Sequence, residues 1–338
     1  MDIASMIQAG EKYALVAFRT LSNLPASPTE LVPGLWVSST PIMPIGSHWK
    51  TWLGSIRVEQ IERCNVFLLV RTKSTNLDVL DGENLELQNL IWKYYVGLLL
   101  TERFVTDGKP LISTGAHRGS EADIRQIVDL DRPSHPPPDF SRKMTIQDVH
   151  RGAAMGNAIQ QFFGSLPPGG AWRLNRVLTL YTRARSLTET VDHVHQYTRC
   201  LEGLTVPPIQ GTRRVFAERS TLFTGATHRG LFENLYAIRG EIEHLHEYRY
   251  LEVFDRSKRI DLFKKAGISE YVARSCLSRI FDQPALWPHF RTTATIETFW
   301  TLLPTDRVCL WGSPVDPLDG MAGFDETFVR DREDLGGP

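Results

Sequence analysis

Apolar and polar positions change rhythm part-way along this chain. In the first stretch the apolar runs are short. Ala14–Phe18 and Asn65–Thr72 are apolar and β-branched, which predicts strands. Leu85–Arg103 carries Trp92, Tyr95, Leu98 and Leu99 in a long apolar-rich pattern, which predicts a helix. Pro- and Gly-rich segments, 25–33 and 41–46, lie between these elements. The pattern predicts an α+β module. Downstream of Phe140 helical periods follow one another: Thr145–Phe163, Trp172–Leu187, Glu189–Leu204 with Thr188 as N-cap, Gly230–Phe254, Ser257–Asp282 with an interruption near Gly267, and Thr293–Leu303 ending before Pro304. Gly164–Gly170 and Pro207-Pro208 are stop signals. Helix after helix with short loops predicts an all-α antiparallel bundle.

Three consecutive prolines, Pro136 to Pro138, mark the sharpest break, because proline suits neither a helix interior nor a central strand. The expected organisation is an α+β sensing or regulatory domain over 1–135, a helical domain over 140–310 and a loosely ordered tail over 311–338. From Pro314 onward the tail holds seven acidic residues against Arg330 and Arg332, a net −5.

The chain is 42% hydrophobic and 23% charged, a globular composition that argues against disorder. A net charge of −1 gives no general pull toward nucleic acid, so contact with RNA needs a local basic patch. Four cysteines, Cys64, Cys200, Cys276 and Cys309, form no CxxC pair, which argues against a disulfide framework and a thiolate metal site. The N-terminus lacks a basic start with an apolar run, and the longest strongly apolar stretch, near Val96–Leu100, is far short of a membrane span. The cytoplasm is the expected location, with no membrane contact. P-loop, GxGxxG, HExxH and GxSxG motifs are absent, so no cofactor or metal is expected.

The informative segment runs from Glu233 to Arg249. Leu231, Leu235, Ile238, Ile242 and Leu245 step by 4, 3, 4 and 3, one apolar helical stripe. Arg239, His244 and His246 flank it. On an ideal helix His246 returns to the face of Arg239, while His244 lies about 140° away. A basic run follows, Arg249, Arg256, Lys258, Arg259, Lys264 and Lys265, offset by Glu252, Asp255 and Asp261.

An arginine followed after four to six residues by a histidine, with the lead-in Leu235-Tyr236-x-x-Arg239, resembles the motif of HEPN-superfamily ribonucleases, in particular the Apea-like branch. Arg173–Tyr181 and Gln196–Leu204, the latter ending in Leu201-Glu202-Gly203-Leu204, are similar to that family's early helices. The resemblance covers about residues 145–303. Gly240 departs from it, since a small polar residue often follows the arginine there, and glycine costs about 1 kcal/mol in a helix.

The resemblance implies a metal-independent endoribonuclease of the toxin or phage-defence kind, working as a homodimer with two Arg–His sets facing each other. Its partners are then an RNA substrate and an inhibitory partner or trigger molecule. The catalytic candidates are Arg239, His244 and His246, with the family spacing favouring His244 and ideal geometry His246. Histidine can take the 2′-hydroxyl proton or supply one to the leaving oxygen, and a guanidinium can stabilise the phosphorane. Arg249, Arg256, Lys258 and Arg259 are candidate substrate-binding residues. Glu202 and Glu243 are candidates to orient Arg239.

Plainer readings stand beside these. Glu243 makes an ordinary i,i+4 pair for Arg239. The basic run is a solvated helix face, His195 is structural or exposed, and Glu202 caps a solvent face. The runner-up function is a non-catalytic HEPN module that binds a partner protein, RNA or nucleotide, with Gly240 marking a decayed site. Two similar strings, Thr114–Gly119 and Gly225–Gly230, read as turns. The acidic tail is a candidate occupant of the basic groove.

Overall fold

The computed structural model describes residues 6–42, 44–118, 121–134, 143–167, 169–244 and 255–329. The chain divides into two compact units, Met1–Pro133 with Ser141–Gln160, and Ser134–Phe140 with Gln161–Pro338. Each is described by itself.

The first unit is built on a seven-stranded sheet. Its strands are β1 (Glu11–Phe18), β3 (Thr29–Val32), β4 (Leu35–Ser38), β5 (Val66–Lys73), β6 (Leu111–Arg118), β7 (Glu121–Ala122) and β8 (Gln126–Asp129). The path is β3-β4-β5-β1-β6-β7, with β8 also on β6, and all pairings are antiparallel. β1 is buried along its whole length and carries the two longest ladders, Glu11↔Lys73 through Phe18↔Val66 on one side and Lys12↔Ala116 through Ala17↔Leu111 on the other. One sheet face packs the cluster of Tyr13, Leu15, Phe67, Leu69 and Leu111. Helix α2 (Gly82–Thr101) packs on β1, β5 and β6, with Tyr94 to Leu100 all buried. Asp81 caps it, accepting from Glu83 N at 3.0 Å. Helix α1 (Ser47–Glu62), absent from the sequence expectations, is bent at Gly54, whose φ of 76° lies in the left-handed region.

Helix α3 (Ile146–Gly164) corrects the expected domain boundary at 140. Residues up to Gln160 belong by their contacts to the first unit. The cause is glycine at a crossing. An ideal Cβ on Gly97 of α2 would sit 2.2 Å from Gly152 O and 2.6 Å from Gly156 N of α3, so the two backbones approach as only glycine allows. Arg151 and Glu102 pair at 2.6 Å, and Tyr94 Oη donates to Asn157 Oδ1 at 2.7 Å. A short parallel ladder of β2 (Ser22–Asn23) and β9 (Met144–Thr145) leads the chain into α3.

The second unit is mostly helical: α4 (Trp172–Ala184), α5 (Thr190–Thr205), α6 (Thr212–Thr224), α7 (Arg229–Glu243), α8 (Arg256–Asp282), α9 (Thr293–Thr301) and α10 (Pro304–Trp311). Helix α5 packs on α4, α7 and α8. Several expectations are corrected. Glu189 rather than Thr188 is the residue before α5. Helix α8 runs unbroken through Gly267, where an ideal Cβ would sit 3.0 Å from Gly320 O, so that glycine serves close approach rather than a break. The tail expected to be loose from 311 is packed as far as it is described. Trp311 and Val329 are buried, Val315 N donates to Phe223 O at 2.8 Å, and the turn at Pro317–Met321 seats on α8. Residues 330–338 lie outside the described residues. Among the described residues no helix is long and apolar enough to cross a membrane.

Candidate functional site

Helices α5 and α7 pack against each other. Glu202, near the end of α5, meets Tyr236 and Arg239 of α7. Phe232, Leu235 and Ile238 supply the buried stripe that seats α7, while Leu231 and Ile242 are half-buried. Arg239 stands at the edge of this stripe with its side chain 17% exposed.

Its two terminal guanidinium nitrogens have carboxylate partners, while Nε is buried without one among the described residues. Nη2 pairs with Glu202 Oε2 at 3.0 Å, and Nη1 pairs with Glu243 one turn on. The Arg239 guanidinium carbon lies 5.4 Å from the centre of the Tyr236 ring, a cation–π arrangement. Tyr236 Oη in turn reaches Glu202 Oε1 at 3.4 Å. Burial and the adjacent Glu202 carboxylate push the Tyr236 phenol above its ordinary value. Glu202 thus binds Arg239 across the helix pair, and the i,i+4 pair with Glu243 is also made.

The expected long helix Gly230–Phe254 is corrected. Helix α7 ends at Glu243, and His244 is its C-cap, exposed, with its backbone N–H donating to Gly240 O at 3.1 Å. Gly240 is an ordinary helical residue with nothing within 4 Å of an ideal Cβ, so no close approach explains it. The face arithmetic that favoured His246 assumed an unbroken helix. His246 and Arg249 lie outside the described residues.

One residue set aside as structural or exposed is part of this neighbourhood. His195 lies on α5 seven residues before Glu202, about two turns and about 10 Å along the helix axis. It is within electrostatic reach of Arg199 on its own helix and of Glu243 and Arg239 on α7. Its Nδ1 faces Gln196 Nε2 at 3.3 Å, and its Nε2 is buried without a hydrogen-bond partner among the described residues. Burial first, and then Arg199, push the imidazole below its ordinary value, against the opposing pull of Glu243. The seven-residue step from His195 to Glu202 was the only signal for this placement, and it acquires meaning once α7 is known to lie alongside.

The basic run is partly engaged elsewhere. Arg256 opens α8 and donates to the carbonyls of Val329 at 2.8 Å and Glu326 at 2.9 Å. Lys264 pairs with Glu326 at 2.5 Å and Lys265 with Asp261. The C-terminal segment therefore holds the half-buried Arg256 through two backbone carbonyls. Lys258 and Arg259 lie on the first turn of α8, where Lys258 N donates to the Asp255 carboxylate.

Among the described residues no three His, Cys, Asp or Glu side chains gather as a metal site. The α5–α7 cluster offers a guanidinium held by carboxylates, an exposed imidazole at a helix end and a half-buried one beside them. Such groups can bind a phosphate and move protons. Comparison of the chain with family models, curated proteins and solved structures gives no match.

Proposed function

We propose that this chain is a metal-independent endoribonuclease of the HEPN type, with its site on α5 and α7. The observation that carries this reading is the Glu202–Arg239 pair across two packed helices, with His244 set at the end of the helix that bears Arg239. In this reading Arg239 stabilises the charge that develops on the phosphorane. His244 moves a proton between the 2′-hydroxyl or the 5′-leaving oxygen and solvent. Two copies pair so that two such sets meet at one phosphate, and the α+β unit gates the site in response to a trigger. Activity of this kind fits a toxin or phage-defence effector.

The test uses purified full-length protein and a fluorescent single-stranded RNA in EDTA. Wild type cuts the RNA, and Arg239→Ala and His244→Ala each lower the rate by at least about a hundredfold, the scale of one lost transition-state contact. RNA bound but left intact by wild type supports the second reading, a non-catalytic module. That reading is favoured by one observation, that both carboxylates already occupy Arg239.

A further inference from the structure

Arg239 poses a problem for any anion chemistry at this site. A guanidinium paired with Glu202 and with Glu243 has two of its edges taken. A phosphate arriving there meets two carboxylates and is repelled. One of the two must turn away before Arg239 can bind phosphate. Glu202 is the less mobile, because it is also bonded to Tyr236 and sits at 23% exposure between the helices. Glu243 is the looser, at 38% exposure on the last turn of α7.

The group placed to draw Glu243 away is His195. The groups facing it are Asp192, Gln196 and Arg199 from α5, and Arg239 and Glu243 from α7. Its buried Nε2 has no acceptor among the described residues, which is a costly state for a polar atom. Charging the ring raises that cost, because both ring nitrogens then carry hydrogens that need acceptors. The Gln196 amide can rotate to present Oε1 to Nδ1–H, since Oε1 is itself buried and unpartnered. Nε2–H is left seeking an anion, and Glu243 is the anion on the facing helix.

We propose that His195 is a positioning residue for Arg239: when its imidazole takes a proton it binds Glu243, releases that carboxylate from the guanidinium and opens one edge of Arg239 to an RNA phosphate. This rests on the ribonuclease reading of the same site. At neutral pH His195 is uncharged, Glu243 stays on Arg239 and the site is closed. The ring charges, and the site opens, only below the ordinary imidazole range, because burial and Arg199 hold its proton affinity down. An incoming phosphate favours the same change, since its negative charge holds the proton on the ring.

The test measures both RNA cleavage and RNA affinity by fluorescence anisotropy, with the full chain and one single-stranded RNA, at about pH 7.5 and at a series of lower pH values descending below the ordinary imidazole value of about 6.5. Wild type binds and cuts better at the acid end of the series by roughly tenfold, the size of one charge-assisted hydrogen bond. His195→Gln flattens this difference and stays closed throughout. Glu243→Gln also flattens it but stays open throughout, binding at neutral pH as wild type binds in acid. A pH ratio in His195→Gln equal to that of wild type overturns the proposal, as does a Glu243→Gln protein that binds no better than wild type at neutral pH. Absence of cleavage at every pH counts against the ribonuclease reading alone, because the affinity ratios still decide the role of His195.

Discussion

At the scale of single residues, Arg239 matters because of what holds it. Glu202 bridges to it from another helix and fixes it against the Tyr236 ring. The pair is partly exposed, so its direct contribution to stability is small, about 1 kcal/mol or less. Glu202→Gln is therefore expected to leave the melting temperature within a few degrees of wild type while lowering RNA cleavage. A variant that unfolds would instead make Glu202 a scaffold residue. Much of this set was legible in the sequence. The step from Arg239 to Glu243 is one helical turn, and the Leu-Glu-x-Leu element pointed to Glu202. His195 was not legible, because its partners come from a helix distant in sequence. The string Thr114–Gly119 read as a turn, yet Thr114 to Arg118 lie in the buried strand β6. Its Gly115 serves close approach, for an ideal Cβ there would meet Asp123 O at 2.2 Å. The similar Gly225–Gly230 string joins α6 to α7, with Gly225 at a φ of 91°, Ala226–His228 in a 3-10 segment and Arg229 and Gly230 already in α7.

At the scale of elements, strongly periodic apolar patterns were readable and masked ones were not. The strands β1 and β5 and the helices α2 to α5 were found within a few residues. Helix α6 was missed because its buried face includes Ser220 and Thr224 beside Phe216 and Phe223. Helix α10 was missed because Pro304 reads as a stop, whereas here it is the first residue of a new helix. The helix-to-helix contacts carry two predictions. In the second unit Glu270 is fully buried between Tyr181 Oη, at 2.9 Å, and Arg274 Nε, at 2.9 Å, with Arg185 4.0 Å away. Removing the anion takes its carboxylate from the buried Arg185 and the half-buried Arg274, so Glu270→Ala is expected to destabilise the protein by about 3–5 kcal/mol, read as a fall in the denaturant midpoint. In the first unit Gly97→Ala forces a methyl against the α3 backbone and should cost about 1–3 kcal/mol. Unchanged melting of either variant would mean that the helices pack otherwise.

At the scale of the whole molecule, the chain joins a sheet-based unit to a helical one, and the return of residues 141–160 to the first unit could not be read from composition. The proline run marked a break, but the glycines that fasten α3 to α2 carry no meaning until the two helices are seen to cross. The first unit also sets an acid limit on stability. The buried Lys12 ammonium lies 2.7 Å from Asp81 and 3.2 Å from Glu83. Its hydrogen bond is the main cause holding the Asp81 carboxyl below its ordinary value. For Glu83 the Ser74 hydroxyl comes first and Lys12 second. Because these folded-state values are depressed, their stabilisation is fully present above the unfolded carboxylate range, near 4, and is lost as pH falls through the folded values. Lys12→Met should shift the acid-unfolding midpoint upward. An unmoved midpoint would exclude this network as the cause.

In a cell, RNA cleavage by this protein should slow growth, and Arg239→Ala should relieve the effect at equal expression. The most direct measurement compares one sequence as RNA and as DNA, each incubated with the purified chain in EDTA. Attack by the RNA's own 2′-hydroxyl predicts that the RNA is cut, leaving a cyclic phosphate, and that the DNA stays whole. Cutting of both strands, or cutting only when a divalent metal is restored, would contradict it.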